Sequence, residues 1–441
     1  MTIREYMELH RQDMEDDLKR LVMIPSERGD ACPGAPFGSE VRRALEETRR
    51  MYEALGLSST ISGEGGWMKT IRPGTSKRTI GIFSHADVVP GGSDWILTDN
   101  AYHPVVKEGF LIGRGASDNK AAIAVSLQML RAIRDLSLPI HSSLLFYTGG
   151  NEESGMADIL HFMKTEPQPE ISLVPDGNYP VTRGEKGVLR FWAVSPEIGE
   201  IEELDGGSAF NIVLGKIKAK MNGVSYEGTG IPRHAALPEG SLNAAYQLLP
   251  VLAEKAENER TKEILSCAAA MLAGYYGDAF GIASVDPSFG PLTCVNGMVR
   301  FDGRIRLAFD LRFGTTTVLE ELTDTIRSYL AAIGWDMEPV RGAAAFEMPS
   351  DHPLVTEALS LWKTYTGEMQ PQSRLNPGGT YARYLKNVVS TGNAMPVPLP
   401  YELPVGHGGV HQPDEGVSLD GLVRGAAFLT ELVLRYDTIS F

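Results

Sequence analysis

Two adjacent glutamates, Glu152 and Glu153, lie between glycines in the stretch GGNEESG, directly after the apolar run SLLFYT. Carboxylates placed so close together repel each other, so each needs either a partner that stabilises its charge or a proton that the two share. A bound metal ion would be such a partner. The pair therefore suggests a metal site.

Further candidate ligands follow other apolar runs. The run RTIGIF leads into SHAD, with His85 and Asp87, and the run EISLV leads into VPDG, with Asp176. Asp118 lies in GRGASDNK, between a glycine-rich turn and an amphipathic helical pattern. Ligands of open α/β sheets bind at the carboxyl ends of the strands. We therefore expect these side chains to meet at one edge of a mostly parallel sheet.

Each feature taken alone has a simpler explanation. On a strand, His85 and Asp87 share a face, which suits a metal-bound imidazole oriented by a carboxylate but equally a plain hydrogen-bonded pair. The two glutamates would also fit a solvated turn, and Asp118 would fit a helix N-cap. The conjunction of acidic residues after successive strands with HQPDE at 411–415 favours one shared metal site.

The elements around these residues indicate two domains. Helical periodicity in EYMELHRQDMEDDLKRLVMI and SEVRRALEETRRMYEALGL, followed by short apolar strand patterns, predicts an α/β domain over residues 1–183. The longer strand patterns GVLRFWAV, NIVLGKIKAKM and GRIRLAFDLRF alternate with helical ones and predict an inserted α+β domain over 184–345. The α/β pattern resumes over 346–441.

Composition excludes several classes of partner. The 441-residue chain has a formal net charge of −15, which opposes binding to nucleic acid or anionic lipid. Its three cysteines lack CxxC spacing, so neither a disulfide framework nor a thiolate zinc site is indicated. The charged opening segment lacks the apolar core of a signal peptide, and no stretch reaches the length of a membrane span. We expect a cytoplasmic protein with a small-molecule partner.

Seven motifs occur in the order that is typical of one family. They are SHADVVP, GRGASDNK, GGNEESG, VPDG, RHAALPEGSLNA, GGTYAR and HQPDE, and they extend from about residue 80 to 415. With them the sequence resembles the dinuclear zinc exopeptidases and deacylases, which include PepV-type dipeptidases, carnosinase, aminoacylase and a desuccinylase. GGTYAR and the large insert are most similar to the PepV-type dipeptidases. The resemblance implies a zinc-exopeptidase catalytic domain with an inserted, ferredoxin-like lid domain.

The resemblance also implies a role for each candidate ligand. The implied zinc ligands are the bridging Asp118, His85 and Asp176 at one ion, and Glu153 and His411 at the other. Glu152 would be the general base, and Asp87 would support His85. His407 lies close to His411, and the choice between them depends on the following QPDE. Relatives often have a second aspartate where this chain has Asn119.

The activity implied is hydrolysis of the amide bond of dipeptides by a water that two zinc ions activate, with manganese or cobalt as other possible metals. An N-acyl amino acid deacylase is the nearest alternative, and a non-catalytic binding protein on the same fold is a third. The third is disfavoured because every ligand and the base are present. A dipeptide panel assayed after measuring metal content distinguishes the three.

The resemblance also implies substrate contacts, most of them in the inserted domain. His234 in RHAALPEG would stabilise the developing oxyanion, and Arg312 in AFDLRF would bind a free carboxylate. Arg383 in GGTYAR is a second cationic candidate, and Asn211 is a further substrate contact. Each arginine could instead be a structural ion-pair partner. Because the insert is longer than a minimal lid needs, we expect a monomer in which His234 acts within its own chain.

Overall fold

The computed structural model describes residues 1–440. They divide into two compact units. The first unit comprises Met1–Arg183, Met348–Arg374 and the described residues from Thr380 onward, and the second comprises Gly184–Glu347 and Leu375–Gly379.

Helices are distributed over both units. The α-helices of the described residues are α1 (Ile3–Leu9), α2 (Arg11–Val22), α3 (Ser39–Ala54), α4 (Lys120–Asp135), α5 (Ala157–Thr165), α6 (Ala244–Lys255), α7 (Glu259–Met271), α8 (Leu319–Ala332), α9 (Pro353–Thr366) and α10 (Leu419–Thr438). Two short 3-10 helices span Asp278–Phe280 and Tyr381–Tyr384. No helix within residues 1–440 is long and apolar enough to cross a membrane.

The strands lie between these helices. They are β1 (Ser58–Ser62), β2 (Trp67–Arg72), β3 (Thr79–His85), β4 (Val105–Lys107), β5 (Phe110–Ile112), β6 (Ser143–Gly149), β7 (Ile171–Val174), β8 (Thr182–Glu185), β9 (Gly187–Glu197), β10 (Ile201–Gly206), β11 (Lys216–Met221), β12 (Val224–Thr229), β13 (Val285–Asp286), β14 (Gly290–Pro291), β15 (Thr293–Phe301), β16 (Arg304–Phe313), β17 (Asp336–Ala343), β18 (Phe346–Glu347), β19 (Arg374–Asn376), β20 (Val388–Ser390) and β21 (Gly416–Ser418).

The main sheet of the first unit has the order β1-β2-β6-β3-β7-β20-β8. Its centre is parallel, because β3 pairs with β6 and β7, and β20 pairs with β7, in parallel registers. Its edges are antiparallel, where β1 pairs with β2, β2 with β6, and β20 with β8. Residues 63–66 join β1 to β2, and so short a connection permits only an antiparallel pair. The predicted α/β class is confirmed, with a mixed sheet in place of a mostly parallel one.

Helix α4 lies at the centre of the core of the first unit. It packs against α2, α10 and strand β3. Its sequence KAAIAVSLQMLRAIRD is buried from Lys120 to Leu130, so this helix is covered on all sides rather than on one stripe. The helix predicted after Asp118 is therefore present. It begins at Lys120 with Asn119 as its N-cap residue and no side-chain cap, so the alternative that Asp118 is the cap is wrong.

The first helical segment differs from the prediction in one detail. The stretch read as one helix is divided into α1 and α2 at His10, whose φ of −103° and ψ of 23° lie outside the helical region. The ring of His10 stacks on that of Tyr6, and its Nδ1 forms a hydrogen bond with the Asp13 carboxylate. These local side-chain contacts compensate for the break.

The second unit contains a seven-stranded sheet with the order β12-β11-β10-β15-β16-β9-β17. Its strand pairs are antiparallel. Buried residues of α6, α7 and α8 share one core cluster with residues of this sheet, which gives an α+β unit. The predicted strand NIVLGKIKAKM is shorter than expected, since β11 begins only at Lys216. Before it, Ile212 forms an isolated bridge with His234.

Candidate active site

Three segments with candidate ligands leave the same edge of the central sheet. In the parallel register His85, the last residue of β3, lies beside Gly149, the last residue of β6. Strand β7 pairs with β3 in the same direction and ends at Val174, two residues before Asp176. The parallel strands therefore deliver His85, the GGNEESG loop and Asp176 to one place, as the strand-end argument predicted.

Five side chains converge there in two overlapping groups of three. The groups are His85, Asp118 and Asp176, and Asp118, Glu153 and His411, with the ligand atoms of each group within 4.8 Å of one another. All five predicted ligands are thus brought together. Asp118 is the residue common to both groups.

The two oxygens of Asp118 face different histidines. Its Oδ1 lies 3.1 Å from Nε2 of His85, and its Oδ2 lies 3.0 Å from Nε2 of His411. Nε2 of His85 is also 3.6 Å from Oδ2 of Asp176, and Nε2 of His411 is 3.1 Å from Oε1 of Glu153. One carboxylate can therefore bridge two cations.

These separations fit divalent metal ions. Two ligands of a tetrahedral zinc ion, each about 2.1 Å from the metal, lie about 3.4 Å apart. The four separations between 3.0 and 3.6 Å bracket that value. Imidazole nitrogens and carboxylate oxygens are also the donors that zinc accepts. The residues present therefore fit a pair of ions.

The ring of His85 is held in the orientation that a ligand requires. Its Nδ1 donates to the backbone carbonyl of Asp87 at 2.9 Å, which fixes the ring with Nε2 toward the acidic cluster. The carboxylate of Asp87 lies farther off, at 3.5 Å from Nδ1. Its two oxygens instead accept the backbone N–H groups of Glu152 and Glu153, at 3.1 Å each. Asp87 therefore connects the histidine to the glutamate pair.

The two glutamates occupy different environments. Glu153 contacts His411, whereas Glu152 is 8% exposed and belongs to neither ligand group. Burial raises the pKa of Glu152 well above its usual value, and the nearby Asp176, Glu153 and Asp118 charges add to this. Burial and the Asp118 charge raise the pKa of Glu153 to about 7. Without a metal ion, both carboxyl groups therefore hold a proton more readily than an ordinary glutamate does.

The pKa values of the two histidines are also raised, and for an imidazole this favours the charged form. Hydrogen bonds to Asp118 and Glu153 raise the pKa of His411 to about 11. Burial lowers the pKa of His85, but hydrogen bonds to Asp118, Asp176 and Asp87 outweigh it and leave the pKa well above its usual value. A metal ion that binds here must displace protons from both rings.

Comparison with known proteins identifies the family. Residues 81–435 match peptidase family M20/M25/M40. The chain belongs to this family. A protein of Bacillus subtilis (strain 168) named "Putative dipeptidase YtjP" is 25% identical, over 96% of this chain and 97% of its own. A second protein, from Staphylococcus epidermidis and named "Putative dipeptidase", is 25% identical over 87% of this chain and 90% of its own.

Solved structures share the fold of this M20/M25/M40 peptidase. Human carnosine dipeptidase 1 superposes with a TM-score of 0.63 at 17% identity, covering 99% of each chain. The M20 family metallo-carboxypeptidase Sso-CP2 from Sulfolobus solfataricus superposes with a TM-score of 0.62 at 16% identity, covering 97% of this chain and 99% of its own. The match over residues 81–435 confirms the predicted family.

Asn119 takes part in the site of this M20/M25/M40 peptidase, although the sequence showed it only as a departure from relatives. The peptide bond that joins it to Asp118 is cis. Its Nδ2 donates to Oδ1 of Asp176 and to the carbonyl of Pro175, at 2.8 Å each. The amide thereby holds the Asp176 carboxylate, with its other oxygen toward His85. An asparagine serves here because the contact needs a donor.

Asp158 is a site residue that sequence reasoning missed. It is fully buried in the first turn of α5, and its Oδ2 accepts the backbone N–H groups of Gly150 and Asn151 at 2.8 and 2.9 Å. The hydroxyl of Tyr381, from the GGTYAR motif, donates to the same oxygen. Asp158 therefore fixes the start of the GGNEESG loop. Only its position nine residues after a strand end could have suggested it.

The structure separates the two candidate histidines near the C-terminus. Nδ1 of His407 lies 2.7 Å from Oδ2 of Asp414, outside the acidic cluster, whereas His411 lies within it. The backbone of His411 has a φ of +63°, a left-handed conformation that is uncommon for a residue other than glycine. Such strain recurs at functional sites because the surrounding contacts must maintain it.

The predicted substrate contacts are placed as follows. In the second unit, Nδ2 of Asn211 lies 3.4 Å from Nε2 of His234. Arg312 is buried, and its Nε and Nη2 donate to Asp310 at 2.6 and 3.1 Å. In the first unit, Arg383 is half-buried in the 3-10 helix Tyr381–Tyr384. The substrate-binding roles of these residues remain predictions.

A cavity of about 300 Å³ adjoins the ligands within the first unit. Its lining includes Asp118 and Asp176 together with Asn178, Tyr179 and Asn393. Apart from the two aspartates it contains no charged side chain.

Proposed function

We propose that this protein is a dipeptidase that hydrolyses the amide bond of dipeptides with the aid of two zinc ions. The observation that supports this proposal most directly is the position of Asp118, whose two oxygens face His85 and His411. Membership in peptidase family M20/M25/M40 supports the reaction class. Relatives aligned over nearly the whole chain and named as dipeptidases support the substrate class.

Each ligand group would hold one ion. His85 and Asp176 complete one group and Glu153 and His411 the other, with Asp118 shared. Bound zinc would polarise the scissile carbonyl and lower the pKa of a coordinated water to about 7. Three of these ligands are carboxylates, so two divalent ions would nearly neutralise the site, which makes its burial tolerable.

Glu152 is the proposed general base. It lies beside the ligand groups without belonging to them. The positive charge of the two bound ions would favour its ionised form, which is the form that can accept a proton. As the water oxygen bonds to the amide carbon, Glu152 takes the water proton. It then passes that proton to the amide nitrogen as the carbon–nitrogen bond breaks, and the amine leaves neutral.

The second unit would contribute the substrate contacts. His234, with Asn211 at 3.4 Å, would stabilise the oxyanion, and Arg312 would bind the substrate carboxylate. Arg383, which lies in the first unit, would be a further cationic contact. For Arg312 this role requires an exchange of partner, because Asp310 accepts two of its N–H groups.

The protein would act as a monomer in the cytoplasm. All three cysteines, Cys32, Cys267 and Cys294, are free thiols, which fits a reducing compartment. Manganese or cobalt would fit the same nitrogen and oxygen donors, so zinc is the proposed rather than the only metal compatible with the site.

The test combines metal content with a substrate panel. Protein loaded with zinc and freed of excess metal should contain two ions per chain and release amino acids from unmodified dipeptides. The Glu152→Gln variant, purified in parallel, controls for contaminating peptidases. Turnover of N-acyl amino acids without turnover of dipeptides would replace the proposal by a deacylase. Two bound ions without turnover of either class would favour a binding protein.

A further inference from the structure

One buried carboxylate holds the segment that carries Asp118. Glu415 is 1% exposed, and its Oε1 accepts three backbone N–H groups, those of Gly115, Ser117 and Asp118, at 3.1, 3.0 and 3.1 Å. Its Oε2 accepts Nη1 of Arg114 at 2.6 Å. Four donors from five consecutive residues thus converge on a single side chain. We call residues 113–119 the Asp118 loop.

The fold brings these distant segments together through a short ladder. Strand β21 pairs with β5 in an antiparallel register that places Gly416 opposite Ile112, and the N–H of Gly113 donates to the carbonyl of Glu415 at 2.9 Å. Gly115 has a φ of +84°, and a Cβ there would lie 2.8 Å from Cγ1 of Val88. The loop can therefore turn its N–H groups toward Glu415 only with glycine at this position.

Other hydrogen bonds hold the ends and the carbonyls of this loop, such as the one that Nδ2 of Asn393 donates to the carbonyl of Ser117 at 2.8 Å. The N–H groups of Ser117 and Asp118 have Glu415 as their acceptor. Without the carboxylate these donors would lose their partner, which is costly for partly buried groups.

We propose that Glu415 is a positioning residue that sets the Asp118 loop in its ligand-binding conformation before a metal ion binds. This inference rests on the proposed metal site. Glu415 also follows His411 by four residues, so one side chain connects the segments of two ligands that face each other. The predicted consequence is a preorganised Asp118, whose oxygens need not be oriented by the ion itself.

A matched control exists elsewhere in the same unit. Asp437 is also a buried carboxylate that accepts backbone N–H groups, those of His141 at 2.8 Å and Ser142 at 2.6 Å. These residues precede β6, at the strand end opposite to the one that leads to Glu152. Asp437→Asn therefore removes the same kind of charge from a loop that carries no ligand.

The first test compares zinc affinity of Glu415→Gln and Asp437→Asn by competition with a chromophoric chelator. We expect Glu415→Gln to bind zinc at least about tenfold more weakly, the size of effect that partners of metal ligands typically have. The zinc affinity of Asp437→Asn should stay within about twofold of the wild type. This should hold even if its thermal unfolding midpoint falls as far as that of Glu415→Gln. Equal affinity of the two variants would overturn the proposal.

The second test needs no variant and decides the matter where Glu415→Gln fails to fold. Hydrogen exchange of the wild-type chain is measured with and without zinc, at the amides of Gly115, Ser117 and Asp118. The proposal predicts protection in both states. Protection that arises only with zinc would show that the ion orders the loop, and would overturn it. Failure of the wild type to bind zinc at all would refute the proposed function, a result distinct from either of these.

Discussion

Replacing one glutamate of the pair should abolish catalysis, and replacing its neighbour should remove a metal ion. Glu152 lies in neither ligand group, whereas Oε1 of Glu153 is 3.1 Å from Nε2 of His411. The variants Glu152→Gln and Glu153→Gln keep side-chain shape and differ by one position, so each is the matched control of the other.

The expected magnitudes follow from these roles. Loss of a general base costs about 10²- to 10⁴-fold in rate, which corresponds to about 2.7–5.4 kcal/mol of transition-state stabilisation. Glu152→Gln should therefore lose turnover and retain two zinc ions. Glu153→Gln leaves its group with Asp118 and His411 alone, so zinc content should fall from two ions to about one.

The metal-free proteins give a further check. Burial raises the pKa of Glu152 in the folded chain. The folded wild type is therefore destabilised at any pH above the pKa that this carboxyl has in the unfolded chain. A neutral glutamine removes that penalty, so metal-free Glu152→Gln should unfold at a temperature no lower than the wild type at pH 7. Metal content by mass spectrometry, dipeptide turnover and thermal scans complete the assay. Loss of zinc in Glu152→Gln together with full loading of Glu153→Gln would reverse the assignment.

Three other predictions test the remaining roles. Arg312→Ala should weaken binding of dipeptides with a free carboxylate, seen as a higher KM, far more than of amidated analogues, and equal effects would exclude Arg312 as the anchor. Mixing inactive Glu152→Ala and His234→Ala chains should give no activity if His234 acts in its own chain, whereas recovery would indicate exchange between chains. Because His411 has its pKa raised to about 11, zinc binding should release its proton. Zinc affinity should then rise steeply from pH 6 to 8, and a flat profile in a calorimetric titration would contradict this.

Strand direction was sufficient to predict that the polar segments after three strands meet, whereas the role of each ligand came from the family resemblance. Apolar runs that end in SHAD, GGNEES and VPDG belong to parallel strands, and parallel strands present their ends at one edge. The choice of His411 over His407 came from the neighbouring QPDE, and the structure places His411 in the acidic cluster. Local patterns were less reliable where tertiary contacts decide. The break at His10 and the late start of β11 are examples.

The support of the site could not be read from the sequence, because its hydrogen-bond partners are backbone groups or lie far along the chain. Glu415 is about 300 residues from the N–H groups that it accepts, and Asp158 is 223 residues from Tyr381. A backbone N–H has the same chemistry at every residue, so no residue type marks the position where a carboxylate will find it. Only the fold brings donor and acceptor together.

Hydrogen-bond partners separate the ligands from the groups that hold them. The chain has 56 aspartates and glutamates, so acidity alone selects nothing. The oxygens of Asp87, Asp158 and Glu415 accept backbone N–H groups, and lone pairs used in this way are not available to a cation. The oxygens of Asp118 and Glu153 instead face imidazole nitrogens, which become co-ligands once their protons leave. A carboxylate at this site can therefore be assigned by what it accepts, and each assignment predicts whether its amide variant loses metal by losing a ligand or by loosening a loop.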